Sequence, residues 1–130
     1  MNAELAAHVF TGFTLIVIAF QFALAAGMPW GHLTWGGRFP GQLPARMRGM
    51  AIFSAVLLAV FALIVESRAG ILWPGWGAAK TLIWSVVAYS AVGVVANAAT
   101  PSRWERIVWL PVVLILLVCS VVVATSRVGQ

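Results

Sequence analysis

Apolar residues dominate four long stretches of this chain, and polar or helix-breaking residues are confined to the gaps between them. The first stretch, residues 6–26, is long enough as a helix to cross a hydrocarbon core of roughly 30 Å. The second lies between Arg48 and Glu66, near the lower limit for a crossing, and predicts a helix over about 49–66. The third follows Lys80 and stops before Pro101, which disfavours helix at the residue preceding it, so the helix is expected over 80–99. The fourth apolar run lies between Arg106 and Arg127. Ser102-Arg103-Trp104-Glu105 ahead of it fits the S-x-x-E capping box, so the last helix is placed at 103–126, with Pro111 expected to kink it.

The gaps differ in kind. Residues 101–106 are short enough to make helices three and four an antiparallel hairpin. Residues 71–77, ILWPGWG, form a turn whose tryptophans suit the membrane–water boundary. Residues 27–48, GMPWGHLTWGGRFPGQLPARMR, hold five glycines, three prolines, two tryptophans, His32 and three arginines. Helix connections in bundles usually take about 2–8 residues, so this surface loop is unusually long. Irregular backbone exposed to hydrocarbon would leave N–H and C=O groups unpaired, so the loop must cover the membrane surface or fold back between helices. The expected fold is all-α, a single domain over 1–130: an integral membrane bundle of four transmembrane helices with a structured Gly/Pro/Trp loop between the first two.

Composition agrees. Of 130 residues, 62% are hydrophobic and 8% charged, against about 25% charged in a soluble domain. The net charge of +5 comes from basic residues at the ends of apolar runs, the pattern of a protein facing anionic headgroups rather than nucleic acid. Cys119 is the only cysteine, which excludes an intrachain disulfide and a thiolate cluster, and it reads as a small residue in an apolar run. Ala23-Leu24-Ala25 resembles a signal-peptidase site, but Glu4 and His8 occupy the region where a secretory signal carries Lys or Arg, so a retained first helix is expected. Arg38, Arg46, Arg48, Arg103 and Arg106 fall on one side, Arg68, Lys80 and Arg127 on the other. The positive-inside rule then puts the long loop in the cytoplasm and both termini outside.

A faint repeat is visible. Residues 66–70 read ESRAG and 125–129 read TSRVG, each preceded by an apolar run, an arginine pair (Arg46/Arg48, Arg103/Arg106) and a proline (Pro40, Pro101). Two tandem hairpins of the same orientation would produce this; so would convergence, since Arg followed by Gly is an ordinary helix end.

The basic side collects the candidate chemistry: Trp30, His32, Trp35, Arg38, Arg46 and Arg48 from the loop region, with Asn97, Arg103, Glu105 and Arg106 from the third connection. Arginine forks and tryptophan faces suit an amphiphile with a phosphate, carboxylate or quinone-like head. Topology, an interfacial aromatic belt and a helix cap would account for the same residues. Within the membrane, Thr11, Thr14 and Gln21 share a side of the first helix, and Ser85, Tyr89, Gly93 and Asn97 recur at four-residue spacing on the third. Such residues serve as helix-to-helix contacts or line a cavity. Gln21 and Asn97 should lie toward the basic side.

No ionisable residue occupies the middle of a run, which disfavours proton-coupled export. Glu66 is the exception to watch: it reaches a cavity if its helix tilts, or else pairs with Arg68 or Lys80. His8 and His32 bracket the first helix, roughly 30 Å apart, so no metal or haem site is expected within one chain. Nothing forms a catalytic pair, and an enzyme would rely on His32 or Glu105 alone.

PWGHLTWGGRFPGQLP with the following MRG, and NAATPSRWERIVWLP, resemble small four-helix bacterial integral membrane proteins with no assigned activity. The resemblance implies the same four-helix fold and a bacterial inner-membrane location, and it transfers no functional residue. The function expected first is a non-enzymatic accessory or scaffold subunit, or a lipid- or amphiphile-binding protein, without a cofactor. Membrane lipids are the expected partners, with self-association or a larger membrane complex. A small oligomeric transporter or channel comes second and a lipid-modifying enzyme third.

Overall fold

A computed structural model describes residues 1–127. Four helices follow one another: α1 (Ala3–Ala25), α2 (Ala45–Arg68), α3 (Ala79–Ala99) and α4 (Arg103–Ala124). All four are long and apolar enough to cross a membrane, and the described residues contain no strand. This is an integral membrane four-helix bundle. The densest packing is within the two hairpins, α1 on α2 and α3 on α4; α1 against α4 closes one side, and α2 meets α3 more sparsely.

The core is narrow. Phe10, Leu58, Phe61, Ile83, Val86, Leu116 and Val123 meet along the axis, with Ala3, Ala6, Ala7 and Cys119 letting backbones approach. Large apolar residues such as Leu15, Phe53, Val56, Val92, Val95 and Val118 point outward. Exposed side chains of this kind would be a liability in water and are what lipid requires.

The helix ends explain why the bundle holds together. Asn2 caps α1 through its side-chain oxygen, which accepts the Leu5 N–H at 2.7 Å. Helix C-termini expose carbonyls that lack an internal partner, and three arginines satisfy them from neighbouring helices. Arg48 Nε donates to Ala25 O at 3.0 Å, at the end of α1. Arg106 Nη1 donates to Thr100 O at 2.6 Å, at the end of α3. Arg68, 6% exposed, donates to the carbonyl of Ala124, the last residue of α4, and to Ser126 O just beyond it. Arg48 and Arg106 hold the same position, the fourth residue of α2 and of α4, and close their own hairpins in the same way. One member of each arginine pair in the sequence repeat therefore caps the preceding helix, whereas Arg46 and Arg103 do not; residues 128 and 129 of the second copy lie outside the described residues.

Several boundaries differ from expectation: α1 starts at Ala3 rather than residue 6, α2 ends at Arg68 rather than residue 66, and α4 ends at Ala124 rather than residue 126. α2 starts at Ala45 rather than residue 49, because Pro44 is accepted just ahead of a helix that needs no N–H there, so Arg46 and Arg48 belong to a helix rather than to the loop. α4 continues unbroken through Pro111 to Ala124.

Candidate functional site

The connection between α1 and α2 folds back over one end of the bundle. Two 3₁₀ turns, η1 (Gly31–Leu33) and η2 (Trp35–Gly37), carry its centre. The loop closes on itself where the Gly31 N–H donates to Gly41 O at 2.8 Å. Gly31 is obligatory there, since a Cβ would be driven into the carbonyl oxygens of Phe39 and Gly41. Leu43, Leu24 and Ala51 form a small second core beneath it, joined by Phe20, Phe39 and Met47.

Residues far apart in the chain fasten the loop to α4. Glu105 Oε2 accepts the Gly36 N–H at 2.8 Å and the Thr100 hydroxyl at 3.0 Å. Ser102 Oγ donates to His32 O at 3.0 Å while accepting the Glu105 N–H at 3.2 Å. The Trp109 indole N–H donates to Leu33 O at 2.8 Å. Phe20 of α1 lies between two tryptophans, stacked with Trp30 at 6.1 Å and tilted against Trp109 at 4.7 Å. The capping box is therefore half formed: Ser102 caps the helix, but the Glu105 carboxylate crosses to the loop instead of returning to Ser102 N, which donates to Thr100 Oγ1. To aim Gly36 at Glu105, Trp35, Gly36 and Gly37 all take positive φ (53°, 65° and 78°). Left-handed backbone costs a non-glycine residue about 1–2 kcal/mol, so Trp35 is held in a strained turn by its surroundings.

Under this cover lies a cavity of about 540 Å³, within the usual range for small-molecule sites. It enters the bundle between α2 and α3, its wall drawn from Ala51 and Ser54 on one and Tyr89, Gly93 and Asn97 on the other. Gln21 of α1, Thr34 and Trp35 of the loop, and Glu105 complete it. A second cavity of about 170 Å³ shares Gln21, Thr34, Ser54, Tyr89, Asn97 and Glu105, and is bounded deeper in the bundle by Leu58 and Leu116. Most of the polar groups are uncommitted. Asn97 Nδ2 donates to Gly93 O at 2.8 Å, leaving its oxygen free. Glu105 uses only Oε2. Gln21, Ser54, Tyr89 and Thr34 make no side-chain hydrogen bond within the described residues.

Of the residues expected from sequence, the fold brings Gln21, Trp35, Asn97 and Glu105 together at this cavity. Trp30 is stacked on Phe20, and His32 is exposed, contributing its carbonyl to Ser102. Arg48 and Arg106 cap helices, and Arg103 is exposed. Arg38 and Arg46 line a separate surface depression of about 380 Å³ with Phe39, Pro44 and Met47, of which Trp35 forms the shared wall. No arginine cluster faces the cavity. Ser54 and Thr34 escaped the sequence reading; Ser54 had a legible signal, as the lone hydroxyl within the second apolar run.

The opposite end holds a second polar group. Glu66, its side chain 12% exposed, does not turn to Arg68 or Lys80 but to α1. Its Oε1 accepts the Thr11 hydroxyl at 2.5 Å and lies 3.6 Å from His8 Nδ1, while His8 Nε2 is 4.0 Å from Glu4. Phe10, Leu58, Phe61 and Leu116 fill the interior between this cluster and the cavity. No cluster of metal-ligating side chains occurs among the described residues.

The fold and the cavity define a small polytopic membrane protein with a partly open cavity, carrying several polar side chains, at the loop-covered end of the bundle. No protein-family model, curated protein or solved structure matches this chain.

Proposed function

We propose that this protein is a non-enzymatic membrane component that holds an amphiphile, its polar head in the cavity beneath the α1–α2 loop and its tail leaving between α2 and α3. One observation carries the reading: uncommitted hydrogen-bonding groups of Gln21, Ser54, Tyr89, Asn97 and Glu105 converge on a space walled by transmembrane helices. Polar groups in an apolar medium are costly without partners, and an occupant with a polar head supplies them. The sparse α2–α3 packing gives the tail its exit. Catalysis is disfavoured because Glu105 is already engaged in holding the loop and His32 lies outside the cavity. A transport path through one chain is disfavoured by the packed Phe10, Leu58, Phe61 and Leu116.

The accessory role, a bacterial inner-membrane location and a cytoplasmic loop belong to the same proposal; the arginine count on the loop side supports the orientation. Native mass spectrometry of protein gently extracted from its own membrane tests the binding role. A reproducible bound amphiphile, lost from Ala96→Phe, whose ring would fill the cavity wall, is expected. A chain that emerges bare, or retains the same mass in Ala96→Phe, overturns it.

A further inference from the structure

The charge of the cavity narrows the ligand class. Among its described lining residues Glu105 is the only one with a formal charge, and no lysine or arginine reaches it. The arginines at this end of the bundle are engaged elsewhere or do not line the cavity: Arg106 donates to Thr100 O, Arg48 donates to Ala25 O, Arg38 and Arg46 line the depression that shares Trp35, and Arg103 is exposed. An anionic head here would meet a carboxylate in a poorly screened setting with no compensating cation.

The arrangement instead favours positive charge. Glu105 lines the cavity, and its Oε2 receives both protein donors, Gly36 N–H and Thr100 Oγ1–H, which leaves Oε1 without a protein donor and able to accept from a ligand. Asn97, its nitrogen committed to Gly93 O, likewise offers an oxygen. Gln21 can add a third acceptor. An ammonium head carries three donors and no acceptor, which complements this set. Trp35 and Tyr89 line the same cavity and add aromatic faces that attract a cation.

We propose that the cavity selects an amphiphile with a protonated amine head, bound through Glu105 Oε1 with Asn97 and Gln21. This rests on the amphiphile-binding reading above and specifies the head that the site takes.

The test uses the full chain in a neutral maltoside detergent, with dodecylammonium and dodecyl phosphate as probes and occupancy read by native mass spectrometry. The native protein should retain dodecylammonium and exclude dodecyl phosphate. A charge-assisted hydrogen bond lost with Glu105→Gln should weaken ammonium binding on the order of tenfold to 100-fold. Gln21→Leu and Asn97→Leu leave the loop contacts of Glu105 untouched and should weaken it less but measurably. Ala96→Phe should abolish it. Binding of the phosphate probe as tight as that of the ammonium, and lost in Ala96→Phe, overturns the amine assignment while leaving the amphiphile reading standing. Ammonium binding indifferent to Glu105→Gln, with both Leu variants also unchanged, overturns the assignment as well. If neither probe is held by the native chain, both readings fall.

Discussion

The Gly36 backbone N–H and the Glu105 carboxylate meet at 2.8 Å across 69 residues of chain. This bond ties the strained turn of the α1–α2 loop to the first turn of α4 and puts a roof on the cavity. A hydrogen bond to a charged group contributes about 1.5–3 kcal/mol, so Glu105→Ala should release the roof without unfolding the bundle. Amide exchange across residues 31–38 is expected to accelerate on the order of tenfold to 100-fold, with exchange in the middle of α2 unchanged. Unaltered loop protection would mean the loop is held by its own turns and aromatic contacts.

Trp109 serves the loop in two ways, through its indole N–H to Leu33 O and its ring against Phe20. Trp109→Phe removes only the first and should cost about 1 kcal/mol. Trp109→Ala removes both and should cost about 3–5 kcal/mol. Thermal unfolding in a single detergent ranks the pair, and equal losses would show that the ring contact contributes little.

Gly31→Ala should do more damage than either, because its added methyl meets the backbone oxygens of Phe39 and Gly41 rather than a movable side chain. Loss of the loop closure is expected, seen as rapid proteolysis between residues 28 and 44. By contrast Gly49→Ala, with open space around its Cβ in the first half of α2, should be neutral or slightly stabilising.

Arg48 and Arg106 predict matched behaviour. Each donates a charge-assisted hydrogen bond to the carbonyl end of the preceding helix. Arg48→Met and Arg106→Met keep the apolar stem and lose the donor, and each should lower stability by about 1.5–3 kcal/mol. Exchange should rise at residues 23–26 in the first variant and 97–100 in the second; a change at the wrong end would argue against these caps.

At the other end of the bundle, Thr11 gives Glu66 a direct hydroxyl partner. Thr11→Val should destabilise by about 1.5–3 kcal/mol, because the carboxylate loses a donor in a site with little access to water. Thr11→Ser should restore most of the loss. Equal stability of the Val and Ser variants would assign the support of Glu66 to His8 alone.

The helices were legible in the sequence because the requirement that makes them is local: a run of apolar residues as long as the bilayer core is thick must satisfy its own backbone as helix. The presence of a surface loop was legible for the same reason, since five glycines and three prolines cannot lie in hydrocarbon as a helix. What the loop does was not. Glu105 could close its own helix cap, as the S-x-x-E spacing suggests, or reach elsewhere, and spacing alone does not distinguish the two. The arginines misled for a related reason. A guanidinium near a helix end looks alike in sequence whether it faces a ligand, as expected for Arg48 and Arg106, or caps the preceding helix, as both do.

By itself, then, the sequence determined four helices long and apolar enough to span a membrane, their approximate ends and the presence of a long Gly/Pro/Trp loop between the first two. Tertiary structure alone decided that Gln21, Ser54, Tyr89, Asn97 and Glu105, from four different helices, share one cavity and that the basic residues lie outside it. Helix formation depends on neighbours in the chain, whereas the charge and shape of a cavity depend on how each helix is rotated about its axis. In helices apolar on nearly every side that rotation has no strong periodic signal, and it is set by packing and by long-range bonds such as Gly36 to Glu105.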